Sequence, residues 1–155
     1  MFQIATKGSL NRWDSFFLDL AEFYSSRSKD PSTKCGAIIA RGNRQISQGF
    51  NGFPMLVDDA AERYQNRELK LQMILHAEVN AILFSKVDLT GATIYTWPFP
   101  PCCRCAAVII QSGIARIMAP TPSGVLQARW MEELEIAKLM YSDAGVKLVE
   151  VTYAS

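Results

Sequence analysis

Two short motifs carry the residue types of a catalytic metal site. They are His76-Ala77-Glu78 and Pro101-Cys102-Cys103-Arg104-Cys105. Each motif alone is ambiguous, because C-x-x-C also occurs in redox pairs and in structural zinc knuckles. Together they supply an imidazole, two thiolates and a carboxylate that is free for proton transfer. Three protein ligands leave the fourth position of zinc open to water, which is typical of a catalytic site.

A fourth protein ligand would turn this arrangement into a closed structural site. His76 is the only histidine in the chain, which excludes a Cys2His2 site, and only Cys103 or Cys35 could complete a Cys3His site. Cys103 neighbours Cys102 on the same short helix, so we expect it to point away from a metal that Cys102 shares with Cys105. We therefore predict an open site, with Cys103 and Cys35 as packing residues. An inert core role for His76 and the other two cysteines is the competing interpretation.

The spacing also predicts where two helices begin. Residues two apart in a helix point roughly 200° away from each other, so His76 and Glu78 can converge only if the helix starts there. Pro101 suits the first position of a second helix, which puts Cys102 and Cys105 in its first turn. The positive ends of both helices would then face the metal and favour thiolate over thiol.

This constellation indicates hydrolytic deamination. Zinc lowers the pKa of bound water to about 7, and Glu78 could take the proton of that water and return it to a ring nitrogen. H-x-E followed by P-C-x-x-C is the established signature of zinc deaminases. We therefore predict His76, Cys102 and Cys105 as zinc ligands and Glu78 as the catalytic residue.

The rest of the chain alternates between helical and strand patterns. Apolar spacing predicts an amphipathic helix over Trp13–Tyr24, a buried helix over Ile74–Phe84 and a partly helical, exposed stretch over Asp58–Gln72. Two further helices are expected over Cys102–Ser112 and Leu126–Ala144, ending at Gly113 and Gly145. The predicted strands are Cys35–Arg41, Arg44–Gly49, Ala92–Trp97, Ile114–Ala119 and Val146–Val151.

This order of elements predicts an α/β protein with three layers, α/β/α. The first two strands should form an antiparallel hairpin through Gly42-Asn43, and the last three should run parallel because helices connect them. We expect a mixed five-stranded sheet with helices on both faces, folded as one domain over residues 1–155.

Composition narrows the functional class. Sixteen basic and fifteen acidic residues give a net charge of +1 without a long run of either sign, which argues against a protein that coats nucleic acid. No stretch approaches the roughly 18 apolar residues of a membrane helix, and the N-terminus lacks the pattern of a secretion signal. Three of the four cysteines lie within one tetrapeptide, which favours a metal over a disulfide framework. We expect a cytoplasmic enzyme.

The chain resembles deoxycytidylate (dCMP) deaminases, including bacterial and phage members, along nearly its whole length. The matching stretches are Ser28–Ala37, Gly49–Pro54, His76–Ile82, Pro101–Ala106 and Ile109–Ile114. The zinc motifs belong to the whole deaminase superfamily, whereas the D-P-S-T-K and G-F-N-G-F-P runs are more specific to this branch. The resemblance implies the cytidine deaminase-like fold and the conversion of dCMP to dUMP, which feeds thymidylate synthesis. It also implies a homo-oligomer, often a hexamer.

The resemblance further implies particular contacts. Asn51 is expected to hydrogen-bond the sugar 3′-hydroxyl, and the backbone of Ala77 to read the pyrimidine. Many relatives are activated by dCTP and inhibited by dTTP, with Mg²⁺ as a possible companion of the nucleotide effector. The residues that correspond to their effector segment are Gly49, Phe50, Asn51, Gly52 and Phe53. Family members often have Tyr and Val where this chain has Phe50 and Cys35. Phe50 therefore lacks a hydroxyl that the effector segment of those relatives carries.

Aromatic and basic residues complete the list of candidates for substrate binding. Phe99 and Trp97 lie at the end of a strand that enters the site, and either could stack on the base. Candidates for the 5′-phosphate are Arg27, Lys29, Arg63, Arg67 and Lys70. The alternatives are a deaminase acting on another cytosine nucleotide, an enzyme acting on a polynucleotide such as tRNA adenosine or single-stranded DNA cytosine, and a non-catalytic deaminase-like binding protein.

Overall fold

A six-stranded mixed sheet carries both motifs. The computed structural model describes residues 2–153, without the side chains of residues 125–127 and 129. The strands are β1 (Phe2–Thr6), β2 (Gly36–Arg41), β3 (Arg44–Phe50), β4 (Thr93–Trp97), β5 (Arg116–Pro120) and β6 (Lys147–Thr152). The helices are α1 (Arg12–Ser25), α2 (Ala61–Gln65), α3 (Arg67–Met73), α4 (Ala77–Phe84), α5 (Cys103–Gln111) and α6 (Gly124–Ala144).

The strand directions follow the predicted pattern. Along the sheet the order is β1-β6-β5-β4-β2-β3. Strands β4, β5 and β6 run parallel, and β2 and β3 form the antiparallel hairpin through Gly42, whose φ is 62°. Because β2 is antiparallel to β4, Gly36 at the start of β2 pairs with Trp97 at the end of β4 and with Phe50 at the end of β3. The residues next to these three strand ends therefore meet at one end of the sheet.

The predicted α/β class is confirmed, but the sheet has six strands and not five. The additional strand is β1, which pairs in parallel with β6. Four of its five residues are exposed, including Phe2 and Ile4. This edge strand is held by backbone hydrogen bonds to a partner 146 residues away, as in the pair Phe2–Leu148. Because its side chains are not buried, its sequence does not show the apolar pattern by which the other strands are predicted.

Helices cover both faces of the sheet, as predicted. Helix α1 packs through Phe17, Leu18 and Ala21 on one face, against side chains such as Ile38 and Tyr95. The other face is covered by α4, α5 and α6; the core there includes Ala37, Ile39, Ala77, Ala81, Ile94, Ala106, Ile109, Ile117, Ala137 and Tyr141. Successive strand residues alternate between these two cores, as the pleat of a strand requires. Among the described helices, none has the length and apolar composition needed to cross a membrane.

Two glycines allow helices to approach the sheet closely. A Cβ atom on Gly49 of β3 would lie 2.5 Å from the carbonyl oxygen of Ala77 and 2.6 Å from the nitrogen of Ala81, both in the backbone of α4. A Cβ on Gly36 would lie 2.0 Å from the carbonyl oxygen of Ala21 in α1. The first turn of α4, which carries the H-x-E motif, is therefore in direct contact with β3.

A buried polar network fixes α1 to the opposite end of the sheet. Asp14 accepts a hydrogen bond from Tyr95 at 2.6 Å and two from the Arg116 guanidinium at 3.0 and 2.6 Å. Burial would raise the pKa of Asp14, but the hydrogen bonds from Arg116 and Tyr95 outweigh it and hold that pKa below its usual value. The carboxylate therefore remains charged inside the fold.

The predicted helix over Ile74–Phe84 needs a correction. Helix α4 begins only at Ala77, because Leu75 forms an antiparallel bridge with Gly52. Its last turn is not buried, since Leu83 and Phe84 are more than half exposed. Two short helices, α2 and α3, occupy the predicted Asp58–Gln72 stretch. The side chain of Leu126, where the last predicted helix starts, lies outside the described side chains.

Candidate active site

The three predicted metal ligands lie together at the starts of α4 and α5. His76 is the N-cap residue of α4, and Cys102 is the N-cap residue of α5. The Nδ1 atom of His76 lies 3.2 Å from Sγ of Cys105 and 3.5 Å from Sγ of Cys102. In the part of the chain that the structure describes, this is the only group of three or more His, Cys, Asp or Glu side chains whose ligand atoms lie within 4.8 Å of one another.

The donor set and its dimensions fit zinc. Tetrahedral zinc, with Zn–S and Zn–N bonds of about 2.3 and 2.0 Å, places nitrogen and sulfur ligands about 3.5 Å apart. The two nitrogen–sulfur distances, 3.2 and 3.5 Å, are close to that value. Cys103 is not part of the cluster. Two sulfurs and one ring nitrogen leave a fourth position for a small molecule.

The sulfurs are prepared to bind a cation. A hydrogen bond with Cys105, aided by His76, lowers the pKa of Cys102 to about 4, and the same hydrogen bond raises the pKa of Cys105. The backbone N–H of Cys105 also donates to Sγ of Cys102 at 3.5 Å, as expected at a helix N-terminus. A cation bound by both sulfurs would replace the proton that they share.

Glu78 lies beside this cluster without belonging to it. It occupies the first turn of α4 and is only 7% exposed. Burial raises its pKa, while the His76 imidazole works in the opposite direction. A buried carboxyl with a raised pKa can exchange protons nearer to neutral pH than an exposed glutamate.

A pocket of about 140 Å³ opens onto Glu78, His76 and Cys102. The other residues that line it are Asp30, Ser32, Thr33, Cys35, Asn51, Arg67, Lys70, Leu71, Ile74, Phe99 and Trp130. They come from the loop before β2, the end of β3, helix α3 and its C-terminal end, the loop after β4, and α6. The pocket thus lies at the end of the sheet where Phe50, Gly36 and Trp97 meet.

Asn51 is fixed in one wall of the pocket. Its Oδ1 accepts the backbone N–H of Cys35 at 2.8 Å, and its Nδ2 donates to the carbonyl oxygen of Thr33 at 3.0 Å and to Asp30 at 3.4 Å. Both amide hydrogens are therefore used inside the protein, which leaves one lone pair of Oδ1 to face a ligand.

An aromatic pair forms another wall. Phe99 and Trp130 stack with their ring centroids 5.1 Å apart and an interplanar angle of 29°. Trp97, the other aromatic residue expected to contact a base, lies on the opposite side of the sheet. It packs in the core under α1 and against Tyr153 at 5.8 Å. Of the two predicted stacking residues, the structure brings only Phe99 to the pocket.

Two of the five basic residues predicted to bind the 5′-phosphate lie at the pocket and three do not. Arg67 and Lys70 line the pocket. The other three, Arg27, Lys29 and Arg63, lie outside its lining: Arg27 is exposed, Lys29 pairs with Asp59 at 2.7 Å, and Arg63 donates to the carbonyl oxygen of Asp58 at 3.0 Å.

The expected effector segment, Gly49–Phe53, connects the sheet to the pocket. Phe50 is 39% exposed, and its carbonyl oxygen accepts a hydrogen bond from the Asn80 side chain at 2.8 Å. Phe53 stacks on Tyr64 with centroids 4.1 Å apart and an interplanar angle of 5°. Only Asn51 of this segment lines the pocket. Ala77, whose backbone is expected to read the pyrimidine, is fully buried at the start of α4.

The family model of the cytidine and deoxycytidylate deaminase zinc-binding region matches residues 11–121. The chain belongs to this family. A relative in Aliivibrio fischeri, called an uncharacterized deaminase in the luxG 3′ region, is 45% identical over 139 residues, covering 90% of this chain and 93% of its own length. The deoxycytidylate deaminase of Mus musculus is 33% identical over 147 residues, covering 90% of this chain and 80% of its own.

A solved deaminase has the same fold. The dCMP deaminase of the cyanophage S-TIM5, in a crystal structure with dCMP and dUMP, superposes with a TM-score of 0.66 at 22% identity. The alignment covers 88% of this chain and 93% of the phage chain. The predicted cytidine deaminase-like fold is therefore confirmed.

The motifs did not identify several residues that line the pocket. Trp130 lies within the predicted helix over Leu126–Ala144 and has no predicted role in the site, and Cys35 is predicted only as a packing residue. Leu71 and Ile74 belong to α3 and its C-cap, which the sequence indicated as a polar surface and the start of a buried helix. Cys35 and Trp130 are distant from both motifs in sequence, so no spacing rule connects them with the site. Leu71 and Ile74 lie just before His76, but their apolar spacing does not indicate that they face a pocket.

Proposed function

We propose that this protein is a zinc-dependent deaminase that hydrolyses dCMP to dUMP and ammonia. The observation that carries the proposal is the buried Glu78 carboxyl beside the His76, Cys102 and Cys105 cluster, at the inner end of a pocket with aromatic, amide and cationic walls. His76, Cys102 and Cys105 would hold zinc, which lowers the pKa of water and so makes a nucleophile available at neutral pH.

Glu78 would move the protons of the reaction. Its carboxylate would take the first proton of the water that attacks the amino-substituted ring carbon and pass it to the ring nitrogen. It would then pass the second proton, from the hydroxyl formed at that carbon, to the departing amine as the carbon–oxygen double bond forms. One water is consumed, one carbon–nitrogen bond is broken, and ammonia leaves. Because Glu78 is buried, it acts in a site from which bulk water is largely excluded.

The walls of the pocket suit a nucleotide. The free lone pair of Asn51 Oδ1 can accept a sugar hydroxyl, which supports the expected contact with the 3′-hydroxyl. Phe99, stacked on Trp130, offers a flat apolar surface for the base. The backbone of Ala77, next to both His76 and Glu78, remains the expected reader of the pyrimidine edge.

The relatives support dCMP as the substrate, since the mouse relative carries the name deoxycytidylate deaminase and the phage structure holds dCMP and dUMP. We further propose one domain over residues 1–155, a cytoplasmic enzyme and a homo-oligomer. A site with two thiolates suits a reducing compartment. Activation by dCTP, inhibition by dTTP and a role for Mg²⁺ with the effector stay predictions.

Ammonia release from a panel of cytosine compounds tests this proposal. The panel contains deoxycytidine, dCMP and dCTP, each with and without added dCTP or dTTP as effector. We expect dCMP to be the preferred substrate by kcat/KM. Equal kcat/KM for deoxycytidine and dCMP would contradict the assignment and leave a general cytidine-type deaminase. A preference for dCTP would keep the chemistry and reject the substrate.

A further inference from the structure

Two cations that line the pocket differ sharply in their surroundings. Arg67 and Lys70 are three residues apart in α3, so they lie on the same face of that helix. Lys70 is buried and forms an ion pair with Asp30 at 3.0 Å, in which both side chains are about 95% buried. Arg67 is exposed and, among the residues that the structure describes, forms no salt bridge.

Lys70 already has its counter-ion. Its Nζ donates to Oδ1 of Asp30 and to the hydroxyl of Ser32, at 3.0 and 3.2 Å. The second oxygen of Asp30 accepts a hydrogen bond from Nδ2 of Asn51. Moving Lys70 to a substrate phosphate would leave a buried carboxylate uncompensated, which is strongly unfavourable. Lys70 and Asp30 thus form a nearly neutral pair that holds the Asn51 amide in one orientation.

From these contacts we infer that Arg67 binds the 5′-phosphate of the substrate and determines the preference for a nucleotide, whereas Lys70 is a positioning residue that acts on Asn51 through Asp30. The inference rests on the proposed function and names the phosphate ligand of the same site. It differs from the expectation that any of the five basic candidates could serve: of these five, only Arg67 both lines the pocket and has no ion-pair partner among the described residues.

Arginine suits this position chemically. Its planar guanidinium can donate two parallel hydrogen bonds to one phosphate. Arg67 is also exposed, so a phosphate could keep part of its hydration while it binds. The Lys70 charge neutralises Asp30, so the phosphate does not meet an uncompensated carboxylate on its way to Arg67.

The first test is the ratio of kcat/KM for dCMP to that for deoxycytidine in the zinc-loaded protein. We expect Arg67→Gln to lower this ratio by roughly 10- to 100-fold, since a hydrogen bond to a charged group is lost together with the charge. Arg67→Lys should lie between wild type and Arg67→Gln. Arg44→Gln is the matched control, because Arg44 is an exposed arginine outside the pocket. A ratio that is unchanged in Arg67→Gln overturns the inference.

The second test separates binding from positioning. Removing both charges, in the double variant Asp30→Asn and Lys70→Met, avoids leaving a lone buried charge. We expect this variant to lower kcat/KM for both substrates and to keep their ratio within about threefold of wild type. Calorimetric titration of dCMP into Glu78→Gln protein, with and without Arg67→Gln, gives a readout that does not require turnover. A ratio that falls in the double variant as far as in Arg67→Gln would overturn the assigned positioning role.

The outcomes for wild type distinguish this inference from the proposed function. A wild-type ratio near one refutes the dCMP assignment itself. A wild-type preference for dCMP that survives Arg67→Gln but is lost in Arg27→Gln or Lys29→Gln refutes only the assignment of Arg67. A preference lost in Arg67→Gln alone supports both.

Discussion

Replacing Glu78 with glutamine tests the proton transfer on which the proposed reaction depends. The amide has nearly the same shape as the carboxyl but cannot accept the proton of water. General acid–base catalysis contributes about 10²- to 10⁴-fold, equivalent to about 2.7–5.4 kcal/mol of activation free energy. Since Glu78 would act on the water, the ring nitrogen and the amine in turn, we expect the upper part of this range.

The structure also predicts what this substitution leaves intact. Glu78 is not one of the three cluster ligands, so the variant should bind zinc in the same amount as wild type. Burial opposes ionisation of the carboxyl, and a neutral amide removes that unfavourable contribution. We therefore expect a free energy of unfolding no more than about 1 kcal/mol below that of wild type.

Three measurements on one preparation decide the outcome: ammonia release from dCMP, zinc content by atomic spectroscopy, and unfolding by denaturant. Glu132→Gln, on the exposed side of α6, is a control for the chemical change alone. Activity of Glu78→Gln within about tenfold of wild type would mean that another group is the base. Loss of zinc together with activity would instead mean that Glu78 is a metal ligand.

Three further tests address the metal site and the fold. Cys102→Ser should lose zinc whereas Cys103→Ser should retain about one zinc per chain, as metal analysis will show; equal zinc in both would refute the ligand assignment. Asp14→Asn should destabilise the protein by about 2 kcal/mol at pH 7, because hydrogen bonds to a charged carboxylate are weakened. The native pKa of Asp14 is lowered, so this loss of stability should shrink as the pH falls below about 4. A loss that stays constant across pH in denaturant titrations would contradict this. Gly49→Ala should cost about 1–3 kcal/mol through the clash with the α4 backbone, with a lower melting temperature and lower activity. Gly8→Ala should melt like wild type, because no atom of the described residues lies within 4 Å of the added Cβ.

Sequence alone sufficed for the parts of the site whose geometry is local. His76 and Glu78 converge because a helix begins between them, and Cys102 and Cys105 share the first turn of the next helix. These arrangements depend on residues at most three apart, so spacing and helix-start rules describe them. The hairpin and the helix ends at Gly113 and Gly145 follow from equally local turn and capping chemistry, and the parallel strands follow from the helices that connect them in sequence.

Contacts between distant segments had to come from the tertiary structure. In β4, side chains alternate between the two faces of the sheet, so Trp97 shares the α1 face with Tyr95, while the loop after the strand turns Phe99 toward the pocket. The alternation is readable in the sequence, but the face that carries the site is set by how α4 and α5 pack. The pairing of Phe2–Thr6 with β6 is equally invisible, because it is made by backbone atoms.

The same distinction decides the roles of the charged residues. Arg67 and Lys70 look alike in sequence, as two cations on one polar helix. Lys70 is committed to Asp30, 40 residues earlier in the chain, and through it to Asn51. Whether a charge is available to a substrate depends on its neighbours in space. Lys70 is neutralised by a buried carboxylate, whereas Arg67 is exposed to solvent. The sequence determined the chemistry of the metal centre, and only the packing of α3 against the loop before β2 determined which of the two cations has no ion-pair partner among the described residues.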